Sequence, residues 1–298
     1  MTQPIQRLVL GGPFGAETHE ESALRLAHFA GLGGRQVETA RSYHGGAAEA
    51  AVGAWTRANP GVLGIITKVG HDARGRDIAL SRTAVRAEVQ ASLTCLATDT
   101  IDTLLLHCDD PAREVEEIAE TLTGLIDAGY TRQVGASNWP ADRLAELATA
   151  IARHGHRLVA SYHFSLAVPD PVALRSLSAD AAVRKVVDTH ALPMLSWSAQ
   201  ARGYFAHDTS PAGSPFDTLE SRARRDRCRD LAGDFGCTPE AVALAWALHH
   251  PRVRASVGPR TPEQLTRSLD ALTLSLSPAQ MRWLEHGIGE RPPRTGTR

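Results

Sequence analysis

Short apolar runs alternate along this chain with longer segments whose apolar residues recur three or four apart. The runs at Arg7–Leu10, Val37–Ala40, Gly64–Val69, Ile101–Leu106, Gln133–Ala136, Leu158–Ser161, Leu192–Ser196 and Arg254–Val257 read as strands. Each is brief, carries β-branched or apolar residues, and stops at glycine, proline or polar residues. Between them, helical spacing covers Glu20–Ala30, Ala47–Trp55, Glu116–Ala128, Asp142–Arg153, Ser178–His190, Arg222–Phe235 and Pro239–His249. Ser81 caps a further helix that lines up Val85, Val89 and Leu93 on one face, and Thr261 or Pro262 opens the last one. A long loop runs through Ser210, Pro211, Gly213 and Pro215.

Eight strands alternating evenly with helices predict parallel strands joined by crossover helices. Eight such units point to a closed (β/α)8 TIM barrel, an α/β fold that takes about 250 residues. The 298 residues suffice for one, and no linker or shift in composition divides the chain, so 1–298 reads as a single domain. The stretch after Trp283 is polar and proline-rich and is expected to be flexible from about 284.

Charge narrows the function. Lysine plus arginine number 32 against 33 acidic residues, a net charge of -1, which offers no field for nucleic acid or an anionic membrane. No apolar run approaches the ~20 residues of a spanning helix, and the N-terminus lacks the basic and apolar regions of a signal peptide. Cys95, Cys108, Cys228 and Cys237 form no CxxC pair and no metal spacing, which fits free thiols in a reducing cytoplasm.

The polar residues at the strand ends carry the chemistry. Glu38 closes the second strand, Tyr43 follows it in the loop, Lys68 closes the third and His107 the fourth. Each alone is compatible with packing, snorkelling or a core hydrogen bond. In a parallel barrel all four converge on one mouth. There a carboxylate can hold the lysine charged, the ammonium is expected to lower the phenol below its ordinary value of about 10, and the histidine can orient a carbonyl oxygen. That set suits protonation of a carbonyl oxygen as hydride reaches its carbon. A strand-end lysine is also compatible with Schiff-base chemistry, as in a lyase or aldolase. Gly11 and Gly12, at the end of the first strand, permit close approach of a ligand.

From Leu8 to about Trp283 the chain resembles the aldo-keto reductase family. ETARSYHGGAAEAAVG is similar to the family's D-T-A-x-x-Y-G-x-G-x-S-E-x-x-x-G. ITKVG and IDTLLLHCDD resemble its lysine and histidine strands, GASNW its G-x-S-N motif, and ARGYF and VGPRTPEQLTRSLDAL its cofactor segments. The resemblance implies a barrel that binds its dinucleotide at the mouth, with Tyr43 as general acid, Lys68 its partner, His107 the orienting residue, and Glu38 where the family has aspartate. It implies nicotinamide contacts from Ser137, Asn138 and Ser161, the last replacing a glutamine, and stacking on Trp197. Ser198, Gln200 and Arg202 would line the pyrophosphate, and Gly12 would also meet the cofactor. Gly258, Arg260, Gln264 and Ser268 would hold the adenosine end.

Arg260 favours NADPH, since a guanidinium matches a 2′-phosphate. The implied function is reduction of an aldehyde or ketone to an alcohol. The departures at Glu38 and Ser161 keep open a nucleotide-binding sensor with little turnover. Pro13, Phe14, Trp139, Phe164 and the chain after Tyr204 are the expected substrate walls. A short tail leaves the mouth open to a bulky ketone, such as a sugar or polyketide product, as well as to a small aldehyde.

Overall fold

Eight parallel strands close on themselves in chain order, the eighth pairing back onto the first. They are β1 (Leu8–Leu10), β2 (Gln36–Glu38), β3 (Gly64–Val69), β4 (Ile101–Leu106), β5 (Thr131–Ser137), β6 (Val159–His163), β7 (Met194–Trp197) and β8 (Val253–Val257). The structure is a computed structural model and describes residues 4–71, 79–209 and 213–288. Helices α1 (His19–Gly31), α2 (Ala47–Ala58), α3 (Arg82–Leu96), α4 (Val115–Asp127) and α5 (Ala141–Arg153) follow the first five strands in turn. After β6 come a single turn, α6 (Pro171–Leu174), and then α7 (Ala181–Thr189); after β7 come α8 (Leu219–Phe235) and α9 (Pro239–His249). The chain continues from β8 into α10 (Pro262–Asp270) and α11 (Pro278–His286).

Two apolar layers hold the barrel. Val9, Ile66, Leu105, Val159 and Leu195 form a small cluster of their own inside it. The larger core lies between strands and helices. In α5, for example, Leu144, Leu147, Ala148 and Ile151 form the buried stripe that helical spacing requires. Helix α9 is buried from Ala241 through Leu248 on every side, and its small residues let α8 and α10 close over it.

Strand side chains alternate between faces. Two residues beyond that inner cluster, on the same faces of the same strands, stand Gly11, Lys68, His107, Ser161 and Trp197. The apolar plug therefore forms the floor on which the polar strand-end residues rest.

Several helix starts are capped by side chains, Ser81 and Thr261 as expected. Ser81 accepts from Ala84 N, Thr18 and Glu21 form a capping box, and Thr261 caps α10. Three expectations shift. Helix α7 begins at Ala181 under an Asp180 cap, because Ser178 instead bridges to His163 beside β6. The turn α6 was not expected. Helix α11, also not expected, runs to His286 with Leu284 buried. The rest of the expected tail, 289–298, lies outside the described residues, as do 210–212 of the long loop.

Candidate active site

The C-terminal ends of the strands surround a cavity of about 1240 Å³. Glu38, Tyr43, Lys68 and His107 all line it. Lys68 is 1% exposed. Its Nζ forms an ion pair with Glu38 Oε1 and donates to Thr39 O at 3.2 Å and to the Tyr43 hydroxyl at 3.0 Å. All three N–H bonds of an ammonium are thereby used. Ser256 Oγ donates to the second Glu38 oxygen at 3.0 Å. The longer glutamate thus reaches Lys68 and is itself held from β8.

Tyr43 is 36% exposed at the mouth, with its hydroxyl turned inward onto Lys68. The phenol does not shift as the sequence suggested. Burial pushes it up to about 12, and the positive charge of Arg202 offsets only part of that rise. The same burial draws Lys68 down to about 7, against the pull of the Glu38 carboxylate. The expected lowering assumed a well-solvated phenol beside a fixed charge. Here both groups share one desolvated pocket, and desolvation outweighs the attraction.

His107 meets Tyr43 edge-on at 5.7 Å between ring centroids, with Ser42 Oγ 3.4 Å from its Nδ1. Burial, followed by the charges of Lys68 and His71, draws it down to about 2. It is therefore a neutral imidazole, able to hydrogen-bond an oxygen without repelling the ammonium.

The residues implied for a dinucleotide also collect here. Gly12, Ser137, Asn138, Trp197, Ser198, Gln200, Arg202, Gly258, Arg260, Gln264 and Ser268 line the same cavity. Asn138 takes a left-handed backbone (φ 61°) and donates through Nδ2 to His107 O at 3.2 Å and Ser137 Oγ at 3.0 Å. Its Oδ1 is buried on the cavity wall with no partner among the described residues. An orphaned acceptor there fits the amide N–H of a carboxamide. A Cβ on Gly258 would rest in ordinary contact with Gly11 O and Gly12 Cα, each 4.0 Å away, so the backbone ends of β8 and β1 flank the same part of the wall. Ser268 ties α10 to the loop after β7 through Gln200, at 3.5 Å. These residues fit the group.

Ser161 is not brought to the cavity. It is fully buried and outside the lining, although its strand partner Ser137 lines the cavity, and its Oγ has no partner among the described residues. Of the expected walls, Pro13 lines the cavity, while Phe14, Trp139 and Phe164 are buried behind it. Trp139 faces the Arg143 guanidinium at 5.5 Å, and Phe164 packs on Trp246 and His250. The chain after Tyr204 does contribute, through Ala206, His207, Ser214 and Pro215.

Sequence reasoning missed Ser256, Ser42 and His163. His163 packs at a tilt against Trp197, 5.3 Å between ring centroids, and is fixed by Ser165 and Ser178, each 3.0 Å away. For Ser42 the signal was its place beside Tyr43. For Ser256 it was the neighbouring strand that a closed barrel requires. Among the described residues, no group of three or more His, Cys, Asp or Glu is placed to hold a metal, and no helix is long and apolar enough to cross a membrane.

Fold and site together define a (β/α)8 barrel with a connected Glu38–Lys68–Tyr43 set at its C-terminal mouth, lining a cavity large enough for a dinucleotide. The chain belongs to the Aldo/keto reductase family, whose family model matches residues 7–286. Versiconal hemiacetal acetate reductase of Aspergillus parasiticus is 27% identical over 225 residues, which span 70% of this chain and 63% of that protein. The 6-dehydroglucose reductase of Agrobacterium fabrum is 27% identical over 262 residues, 84% of this chain and 80% of that one. An aldo/keto reductase from Klebsiella pneumoniae, solved in complex with NADP and acetate, superposes with a TM-score of 0.75 at 22% identity. That match covers 98% of this chain and 93% of the other and establishes likeness of fold.

Proposed function

We propose that this chain is an NADPH-dependent reductase that converts an aldehyde or ketone to an alcohol, with Tyr43 as the general acid. The observation that carries the reading is the Tyr43 hydroxyl accepting from Lys68 Nζ at 3.0 Å on the cavity wall. Because the oxygen accepts there, its own hydrogen is free to point toward a substrate. With the phenol at about 12, Tyr43 is protonated throughout the neutral range. Lys68 sits where it offsets charge appearing on the phenolate, and Glu38 keeps Lys68 in place. Neutral His107 orients the carbonyl oxygen toward Tyr43.

Ser137 and Asn138 would hold the nicotinamide carboxamide and Trp197 would face its ring. Ser198, Gln200 and Arg202 would border the pyrophosphate, and Arg260 the 2′-phosphate. When bound, NADPH supplies the hydride that reaches the carbonyl carbon. The names of the two relatives, a hemiacetal acetate reductase and a dehydroglucose reductase, support a substrate larger than a simple aldehyde.

The test is NADPH oxidation with a panel of small aldehydes and bulky ketones. Tyr43→Phe is expected to lower kcat about 10²- to 10⁴-fold, the range for loss of a general acid, with NADPH affinity unchanged. Equal rates in the two proteins would remove Tyr43 from the mechanism. The position of Ser161 outside the cavity lining, which takes away one implied nicotinamide contact, favours a second reading as a nucleotide sensor. Tight NADPH binding with no consumption across the panel would establish the sensor over the reductase.

A further inference from the structure

Tyr43 and Lys68 stand on different segments, one in the loop after β2 and the other at the end of β3. The β2–β3 ladder continues past Glu38, with Thr39 N donating to Ile66 O at 2.8 Å and Arg41 N to Lys68 O at 2.9 Å. After Arg41 the loop leaves the sheet, and Tyr43 N turns back onto Ala40 O. Main-chain pairing therefore ends two residues before the acid.

What spans those two residues is a carboxylate on α2. Glu49 is fully buried. One of its oxygens accepts from Thr67 Oγ1 at 2.6 Å and the other from Arg41 Nη1 at 3.3 Å. Thr67 is the residue before Lys68, and Arg41 lies two before Tyr43. The Arg41 guanidinium also fills the inside of the loop on the far side of Tyr43. A Cβ on Gly46 (φ 96°) would lie 2.2 Å from Arg41 Nη1, and Cys95 Sγ is 3.5 Å from that same nitrogen. Glu49 has little room to drift. Gly53, one turn along the same face of α2, would place a Cβ 2.4 Å from Cys95 O and 2.7 Å from the Leu96 backbone. Helices α2 and α3 thus touch backbone to backbone.

We propose that Glu49 is a positioning residue for proton transfer: it clamps the Lys68 strand to the Tyr43 loop and sets the Tyr43–Lys68 distance without touching either group. This rests on the reductase reading above. A buried ion pair adds little stability over an apolar filling of the same shape. What it supplies is a single allowed geometry, and proton transfer depends on geometry to within an ångström.

Glu49→Gln keeps the shape and the bond from Thr67 but removes the charge that holds Arg41. It is expected to lower kcat for a carbonyl substrate about 10- to 100-fold, to leave KM within about threefold, and to leave NADPH affinity by fluorescence quenching unchanged. Combined with Tyr43→Phe it is expected to cost nothing further, because it acts through the phenol. Thr67→Val is the second variant, carrying the same test should Glu49→Gln fail to fold. Unchanged kcat, or the same loss in the Tyr43→Phe background, would overturn the proposal.

A wild type inactive on every carbonyl would instead be a failure of the reductase reading. The clamp is then read without turnover. Lys68 and Lys185 are the only lysines in the sequence, so lysine-selective ¹³C labelling resolves Lys68 by NMR. Its side-chain signal is expected to move in Glu49→Gln while that of Lys185 stays. A Lys68 signal identical to wild type would overturn the inference.

Discussion

Replacing Lys68 by methionine tests the buried relay through stability, independently of any substrate. The side chains are of similar length, but methionine offers no donor. Glu38 then keeps only the Ser256 hydroxyl at 3.0 Å, in a site where its side chain is 7% exposed. Removing one partner of a buried pair generally costs about 3–5 kcal/mol. A second estimate comes from the escape open to the variant, which is to protonate Glu38. At about pH 6, roughly 1.7 units above the ordinary glutamate value, that costs about 2.3 kcal/mol. Thr39 O, deprived of its donor, adds about 1–2 kcal/mol. The two routes agree on about 3–4 kcal/mol.

The pH dependence has a definite sign. In the variant, burial without Lys68 raises Glu38 in the folded state above its unfolded value. Stability from such a group is fully present below about pH 4.3 and is lost as pH rises. The deficit against wild type should therefore grow by about 1.4 kcal/mol per unit between about pH 4.5 and 6. Lys68 adds no slope in that window, because its folded value of about 7 leaves it protonated in both states. Urea unfolding followed by circular dichroism and tryptophan fluorescence gives both quantities. Lys68→Met with Glu38→Gln should recover most of the loss, abolish the slope, and remain inactive. A deficit below about 1 kcal/mol at pH 6, or one that does not vary with pH, would refute a buried, charge-compensated Glu38.

Three further outcomes follow from the site. Carbonyl reduction should fall as pH rises through about 7, where Lys68 loses its proton, with no acidic limb from His107, which is drawn down to about 2; a kcat profile flat to about pH 9 would contradict this. Arg260→Ala should weaken NADPH about 10- to 100-fold and leave NADH nearly unchanged, measured by titration of intrinsic fluorescence; equal losses for both would remove the 2′-phosphate contact. Ser161→Ala should leave NADPH affinity unchanged, because the hydroxyl lies outside the cavity lining, and a clear drop in the same titration would place that residue in the site after all.

The barrel was legible because its alternation is coarse: eight apolar runs and their helices survive errors of a few residues at each end. The strand-end residues were legible for a related reason. A period of two puts Lys68 above Ile66, and His107 above Leu105, on the inner face. Depth along the barrel axis carries no such signature. Ser161 has the same register as Lys68, yet its side chain does not line the cavity. Loop aromatics were equally opaque, since nothing in the string states whether the Trp139 or Phe164 ring turns toward the mouth or the helices. Glu49 falls on the glutamate of the family motif, but the motif gives it no role, and its hold on Thr67 and Arg41 shows only in the coordinates.

The phenol shows why the sign of a shift needs coordinates. A charge alone lowers it and burial alone raises it, and only the depth of the pocket decides between them. The outcome alters what the site requires of Tyr43. A phenol at about 12 holds its proton at neutral pH, so almost every molecule is ready to act as an acid. It need not be a strong one. On the reductase reading proposed above, the reduced carbonyl oxygen would have alkoxide character, a far stronger base than any phenolate, and would take the proton readily. The phenolate then left behind would be the species Lys68 stabilises, existing only after the transfer has begun. Thirty arginines and two lysines make up the basic residues of this chain, and one of those lysines stands here. A guanidinium keeps its charge whatever happens to the phenol. An ammonium drawn down to about 7 can hand a proton back to the phenolate and be recharged from solvent, which resets the acid for the next carbonyl.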